Sequence, residues 1–289
     1  MAARGSNLSK LRDYFTLTKP EVNLLVLMTT AAGFYLASRG TVDWAAMLNT
    51  LLGTLLVASG TATLNQWMER NWDAQMRRTA KRPVPAGRIS AHAALWFGIS
   101  MSIAGSLYLA ILVNRLAAAL AISTLLSYLL IYTPLKRKTP LCTMLGAIPG
   151  AMPVLIGWSG SASRIDSQAW FLFAIVFLWQ FPHFLAIALL YREDYARAGY
   201  KMLPEFDADG CFTRFEIAGL TVILVAVTLL FEFRAGPLSL FVLTLAGMLL
   251  FYPASRLVRN PSKSTARWVV HGSVSYLPIV LLVAMLHKV

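Results

Sequence analysis

Between residues 65 and 83 the sequence reads NQWMERNWDAQMRRTAKRP, which sets an amide, acids and several bases at the end of an apolar run. Asn65, Glu69 and Asp73 fall at i, i+4 and i+8. On a helix they stack on one face with about 6 Å of rise between neighbours, so their oxygens converge. Side-by-side carboxylates repel and favour protonation unless a cation lies between them. Hard oxygen ligands at this spacing suit Mg²⁺, which commonly bridges to phosphate. The chemistry indicated is metal–diphosphate binding. The plainer alternative is a solvated turn capping a membrane helix, its charges set by topology alone. Arg77, Arg78, Lys81 and Arg82 follow, and Pro83, Pro85 and Gly87 stop the helix.

Two later stretches carry further chemistry. In IYTPLKRKTP, Tyr132 and Lys136 stand at i and i+4, so a phenol and an ammonium share one site if the helix continues past Pro134. Arg137 and Lys138 beside them read either as part of an anion-binding loop or as a topology signal. In WQFPHFLAIALLYREDYARAGYKMLP, His183 lies inside an apolar run, where ionisable groups are usually functional. Eleven residues separate His183 from Asp194, so on a continuous helix both project from one stripe about 16 Å apart, unless Pro182 kinks it. Lys201 reads as a topology charge or as a base reaching an anion at Asp194. Glu205, Asp207 and Asp209 lack the glycine turn and terminal Glu of a calcium loop. Cys142 and Cys211 have neither disulfide nor metal spacing, and His92, His271 and His287 sit near helix ends.

The elements that must position these groups follow from composition. With 57% hydrophobic and 13% charged side chains in 289 residues, the chain is too apolar for an ordinary soluble domain. An all-α polytopic membrane protein is expected, a single transmembrane domain over residues 1–289. Its nine spans are predicted near 22–38, 46–66, 92–112, 115–133, 141–158, 168–190, 214–231, 236–254 and 268–286. Assigning the N-terminus and the even-numbered connections to one side puts 21 of the 26 bases there and leaves Arg39, Arg115, Arg164, Arg234 and Lys288 on the other. That asymmetry places the N-terminus in the cytoplasm and the C-terminus outside, and it reads the +13 net charge as a membrane signal rather than a nucleic-acid footprint. The first twenty residues lack a signal peptide's apolar core, and as a transit peptide they would be short. The expected location is therefore the inner (plasma) membrane of a bacterium rather than a mitochondrion.

Within the second span the small residues Ala58 to Thr63 are expected to leave a cavity above the acids. The fifth span is expected to be broken by Gly146, Pro149, Gly150, Pro153 and Gly157 and to form a cavity wall. Asn23 is either a helix-end amide or a pocket group. Trp44, Trp158, Trp170 and Trp268 fall near the predicted interfaces.

Taken together, these residues resemble the UbiA superfamily of intramembrane prenyltransferases over nearly the whole chain, from TKPEV to the ninth span. Asn65, Glu69 and Asp73 match its first acidic motif, NxxxDxxxD, with Glu in the middle place. MRRTAKRP, YTPLKRKTP and WQFPHF resemble the branch that farnesylates heme. At the second acidic motif, often DxxxD, this chain has Asp194 and then Ala198. The resemblance implies a helical bundle around a central cavity, in which Mg²⁺ held by Asn65, Glu69, Asp73 and Asp194 engages farnesyl diphosphate. Arg78, Arg82, Tyr132, Lys136, Arg137 and Lys201 would bind the diphosphate. Heme B would be the acceptor, with His183 as a heme contact and a heme A synthase or an oxidase-assembly factor as a partner. The rivals are a related enzyme acting on a quinone precursor or chlorophyllide and, from another class, a heme-handling transporter.

Overall fold

The structure is a computed structural model that describes residues 2–231 and 236–288; Arg234, counted above among the outer charges, lies outside them. The elements are α1 (Ala2–Leu17), α2 (Pro20–Ala37), α3 (Trp44–Asp73), α4 (Ala91–Leu112), α5 (Arg115–Leu126), a π-helical turn (Ser127–Tyr132), α6 (Thr133–Leu135), α7 (Cys142–Ala162), α8 (Ser167–Leu190), α9 (Arg192–Arg197), α10 (Leu203–Phe206), α11 (Cys211–Phe231), α12 (Pro237–Arg259) and α13 (Lys263–Leu286). No strand occurs among the described residues. Nine helical stretches among them are long and apolar enough to cross a membrane: α2, α3, α4, the run Arg115–Leu135, α7, α8, α11, α12 and α13. The chain is a multi-pass membrane protein.

Polar residues at the apolar boundaries set the helix starts. Asp43, Ser90, Asn114 and Asp166 each accept a hydrogen bond from the backbone N–H three residues on, and Ser262 with Thr265 forms a capping box. Pro20 and Pro237 occupy first helical turns, where a missing N–H leaves nothing unpaired. Successive spans pack side by side, and α13 returns to α2, so the bundle closes into a ring. Leu107, Ile111, Leu230, Phe241 and Leu249 point outward, as lipid contact requires.

Close packing, rather than breaks and cavities, accounts for most of the small residues. α7 runs unbroken through Pro149 and Pro153, contrary to the expectation of a broken fifth span. Its Gly157 lies so close to α2 that a Cβ there would collide with the Thr30 carbonyl oxygen. Within the segment Ala58–Thr63, Gly60 likewise packs against α4, and Ser59 contacts α2. At Gly60 a Cβ would meet the Ser102 hydroxyl and, at 2.8 Å, the Gly98 carbonyl. Asn23 is buried and ties α2 to α3, donating to Ser59 Oγ at 2.9 Å and to the Thr18 carbonyl at 2.8 Å. Trp158 is buried inside the bundle and does not join an interfacial belt, whereas Trp44, Trp170 and Trp268 are exposed.

Candidate active site

The 30 residues of α3 span about 45 Å, well beyond a hydrocarbon core of about 30 Å, so its last turns project past the apolar layer. Those turns carry Asn65, Glu69 and Asp73, all buried. Around them the even-numbered connections meet. Arg88 pairs with Asp13 at 2.9 Å, Lys136 with Glu69 at 2.8 Å and Lys263 with Glu193 at 3.2 Å, while the Lys201 N–H donates to the Lys136 carbonyl at 2.6 Å. Arg88, Lys136, Lys201 and Lys263, all counted to one side in the sequence, are thus brought to one end of the bundle.

Each acid is held by a base from a different connection. Glu69 takes Lys136 Nζ at 2.8 and 3.2 Å, and its Oε2 also accepts from Asn65 Nδ2 at 3.0 Å. The Lys136 ammonium sits over the Tyr132 ring at 4.5 Å. The π-helical turn followed by the single turn of α6 thus continues the helix past Pro134 and makes the predicted phenol–ammonium site. Burial penalises the Lys136 ammonium, but the Glu69 carboxylate outweighs that and holds it well above the ordinary lysine range.

Asp73 takes Arg82 Nη1 at 2.7 Å, and Asp194 takes Arg197 Nη1 at 3.0 Å and the Arg78 backbone N–H at 3.2 Å. Next to Arg78, Thr79 donates to the Asp73 carbonyl at 2.8 Å. The segment after α3 therefore joins the two acidic motifs on one side of the membrane. Burial works against the Asp194 charge, but the backbone N–H groups of Arg78 and Arg77, with Arg197, more than offset it and keep its carboxyl below the usual range.

Not every predicted site residue joins this cluster. Arg78 stacks on Tyr191 at 4.9 Å and donates to Tyr195 Oη at 3.2 Å. Arg137 stacks on Trp72 at 4.3 Å. The Lys201 side chain pairs with Glu205 at 2.7 Å and leaves only its backbone at Lys136. His183 belongs to the α8–α13 packing, with Nδ1 2.9 Å from Ser273 Oγ and its ring stacked on Trp179. The common stripe with Asp194 is lost because α8 ends at Leu190 and α9 restarts at Arg192.

Three site residues escaped the sequence reading: Lys19, Thr133 and Tyr200. Lys19 Nζ donates to Asn65 Oδ1 at 3.1 Å. Burial, then the charges of Arg82 and Lys136, pushes its ammonium down to about 7. Its backbone is left-handed, φ 50 and ψ 65, although it precedes Pro20, which favours extended geometry. A side chain held in so sparse a region costs about 1–3 kcal/mol, and such strain clusters at functional sites. The signal in the sequence was a lysine directly before the proline that opens the first span. Thr133 accepts from Asn65 Nδ2 at 3.1 Å, and the buried Tyr200 hydroxyl has no aligned hydrogen-bond partner. Burial, then the Glu69 charge, pushes the Tyr200 phenol up.

Among the described residues no three acid, histidine or cysteine side chains form a ready cation cage. The donor set nevertheless fits Mg²⁺ that arrives with a diphosphate. That ion is usually held by one or two carboxylates plus substrate phosphates, and Glu69, Asp73 and Asp194 supply hard oxygens. The three bases on those acids match them in number, and Lys19 on Asn65 adds a further positive charge, as a site receiving a polyanion requires.

A closed ring of spanning helices with paired acids and bases buried at one rim is the architecture of an intramembrane polar site. The chain belongs to the UbiA prenyltransferase family, whose sequence profile matches residues 26–277. It is 44% identical to the protoheme IX farnesyltransferase of Solibacter usitatus, covering 93% of this chain and 96% of that one. It is 43% identical to the protoheme IX farnesyltransferase of Koribacter versatilis, covering 97% and 94%. Among solved structures, one of digeranylgeranylglyceryl phosphate synthase superposes with a TM-score of 0.78 at 19% identity, covering 97% of this chain and 99% of that one. A UbiA homolog from Archaeoglobus fulgidus bound to GPP and Mg²⁺ superposes with a TM-score of 0.63 at 15% identity, covering 94% and 99%. At these identities the structural likeness establishes the fold.

Proposed function

We propose that the protein transfers the farnesyl group of farnesyl diphosphate to a vinyl group of heme B, giving heme O and diphosphate. The observation that carries this reading is the pairing of Glu69, Asp73 and Asp194 with Lys136, Arg82 and Arg197 at one rim of the bundle, with Lys19 held among them. The protoheme IX farnesyltransferases to which the chain is similar supply the choice of donor and acceptor.

Asn65, Glu69, Asp73 and Asp194 would hold Mg²⁺, which when bound neutralises diphosphate charge and so improves the leaving group. Lys136, Arg82 and Lys19 exchange their protein partners for phosphate oxygens, and Arg78 approaches from the rim. The allylic C–O bond breaks with its electron pair going to diphosphate, and the bundle keeps water from the farnesyl cation. The heme vinyl group adds to that cation through a new C–C bond. Water then adds to the porphyrin-side cation and loses a proton, leaving the hydroxyl. No protein nucleophile is needed.

The N-terminus and acid-bearing rim face the cytoplasm of a bacterial inner membrane, and a heme A synthase or oxidase-assembly factor receives the product. Incubation of the purified protein with heme B, farnesyl diphosphate and Mg²⁺ should yield heme heavier by one farnesyl group and one hydroxyl group on mass analysis. Chelation of Mg²⁺ should abolish that product. Diphosphate release only with a quinone precursor or chlorophyllide would reassign the acceptor, and release with no acceptor would refute the reaction.

A further inference from the structure

Beside the acid cluster lies a cleft of about 510 Å³, within the range of small-molecule sites. Trp67, Trp72 and Tyr200 give it aromatic walls, and Arg70, Arg137 and Lys138 give it three cations. Among the described residues none of these three bases has an acidic partner, whereas Lys136, Arg82 and Arg197 are each paired. The cleft is also polarised. Glu69 and Tyr200 are buried and close its inner end, while Arg137 and Lys138 are exposed at its mouth.

From this arrangement we propose that the cleft is the acceptor site and takes a flat aromatic dicarboxylate, the two propionates of protoheme resting on Arg137 and Lys138. The inference deepens the function proposed above and rests on protoheme being the acceptor. Aromatic walls suit a porphyrin face, and the guanidinium of Arg137, over the Trp72 ring at 4.3 Å and without an acidic partner among the described residues, can take a carboxylate. Orientation follows from the ligand's own asymmetry. Protoheme carries its propionates along one edge and presents its vinyl groups away from it. Anchoring the acids at the mouth therefore turns the vinyl edge inward toward Glu69, where the allylic diphosphate is bound. An acceptor lying the other way round would bury two carboxylates beside Glu69 and leave apolar vinyls in water, which charge repulsion and desolvation both disfavour.

The test uses the full-length protein in phosphatidylcholine nanodiscs, titrated with protoheme and with its dimethyl ester, binding being followed by the Soret band and by tryptophan quenching. Wild type should prefer protoheme. Arg137→Gln and Lys138→Gln should each weaken protoheme binding about tenfold, as loss of a hydrogen bond to a charged group implies, and leave the ester's affinity unchanged. In turnover the double variant should raise KM for heme while kcat stays near wild type. Equal affinity of wild type for acid and ester would overturn the proposal, as would a double variant that still discriminates between them. If phosphatidylglycerol in place of phosphatidylcholine abolishes the preference, the bases serve lipid phosphates and the proposal falls. These readouts need no farnesyl donor, so discrimination without turnover would count against the proposed function alone.

Discussion

Replacing Glu69 with Gln tests the assignment at its centre, because Glu69 has separate tasks in the free and loaded protein. In the free protein its carboxylate is the counter-charge of Lys136, with both side chains nearly inaccessible at 5% and 11% exposure. Removing one member of a buried ion pair costs about 3–5 kcal/mol. Gln keeps an acceptor for the ammonium, and the Tyr132 ring lies 4.5 Å from Lys136 Nζ, so about 3 kcal/mol is expected. For a chain of this size that is a fall of roughly 6–12 °C in melting temperature, measurable by a thiol-reactive or tryptophan melt in detergent. In the loaded protein the missing carboxylate removes a metal ligand, and turnover should fall by about 10²–10³, the scale of losing one preorganised electrostatic contact. Lys136→Met should lose activity comparably. The double variant should recover much of the melting temperature, since no unpaired buried charge is left, but none of the activity. A Glu69→Gln protein with a wild-type melt, wild-type turnover and an unchanged Mg²⁺ requirement would refute the reasoning on both counts.

Other outcomes follow from the same geometry. Lys19→Gln should weaken inhibition by inorganic diphosphate about tenfold, the equivalent of one charge-assisted hydrogen bond, and an unchanged inhibition constant would confine Lys19 to a structural role. Gly157→Ala should destabilise the protein by about 1–3 kcal/mol, because its Cβ meets the Thr30 carbonyl of α2 and neither backbone has room to give; an unshifted melt would argue against the tight α2–α7 crossing. Asp207 accepts from the Thr213 N–H and hydroxyl, both at 2.7 Å, as a cap on α11. Although desolvation opposes its charge, those bonds lower its carboxyl below the usual range. With a depressed folded value, the cap's contribution is present above the unfolded value of about 3.9 and is lost as pH falls through the folded value. Asp207→Ala should therefore cost about 1 kcal/mol at neutral pH and progressively less in acid, as melts across that window would register.

Much of this protein is legible from its residues alone. Long apolar runs cannot stay in water and must satisfy their backbone bonds internally, so composition predicts nine spans, matching the nine such helices among the described residues, and boundaries near capping residues such as Asn114 and Asp166 fall close to the observed ones. Helical periodicity likewise suffices to line up Asn65, Glu69 and Asp73, and to bring Lys136 back to Tyr132. Such local patterns do not say what a small residue faces. Gly157 could as well have lined a void as touched Thr30, and only the crossing of α2 on α7 decides it.

Sequence distance also hides partners. Lys19 and Asn65 are separated by 46 positions and Glu69 and Lys136 by 67, and the choice among the bases gathered at one rim is made by the routes of the connecting segments. A one-residue interruption at Tyr191 turned Asp194 off the stripe of His183 and onto the Arg78 backbone, a change that no count along an ideal helix reveals. The sequence determined which helices form and which charges share a side, because hydrophobicity and helical period act locally. Tertiary structure alone decided which acid meets which base, because that depends on distances between segments whose separation along the chain carries no such information.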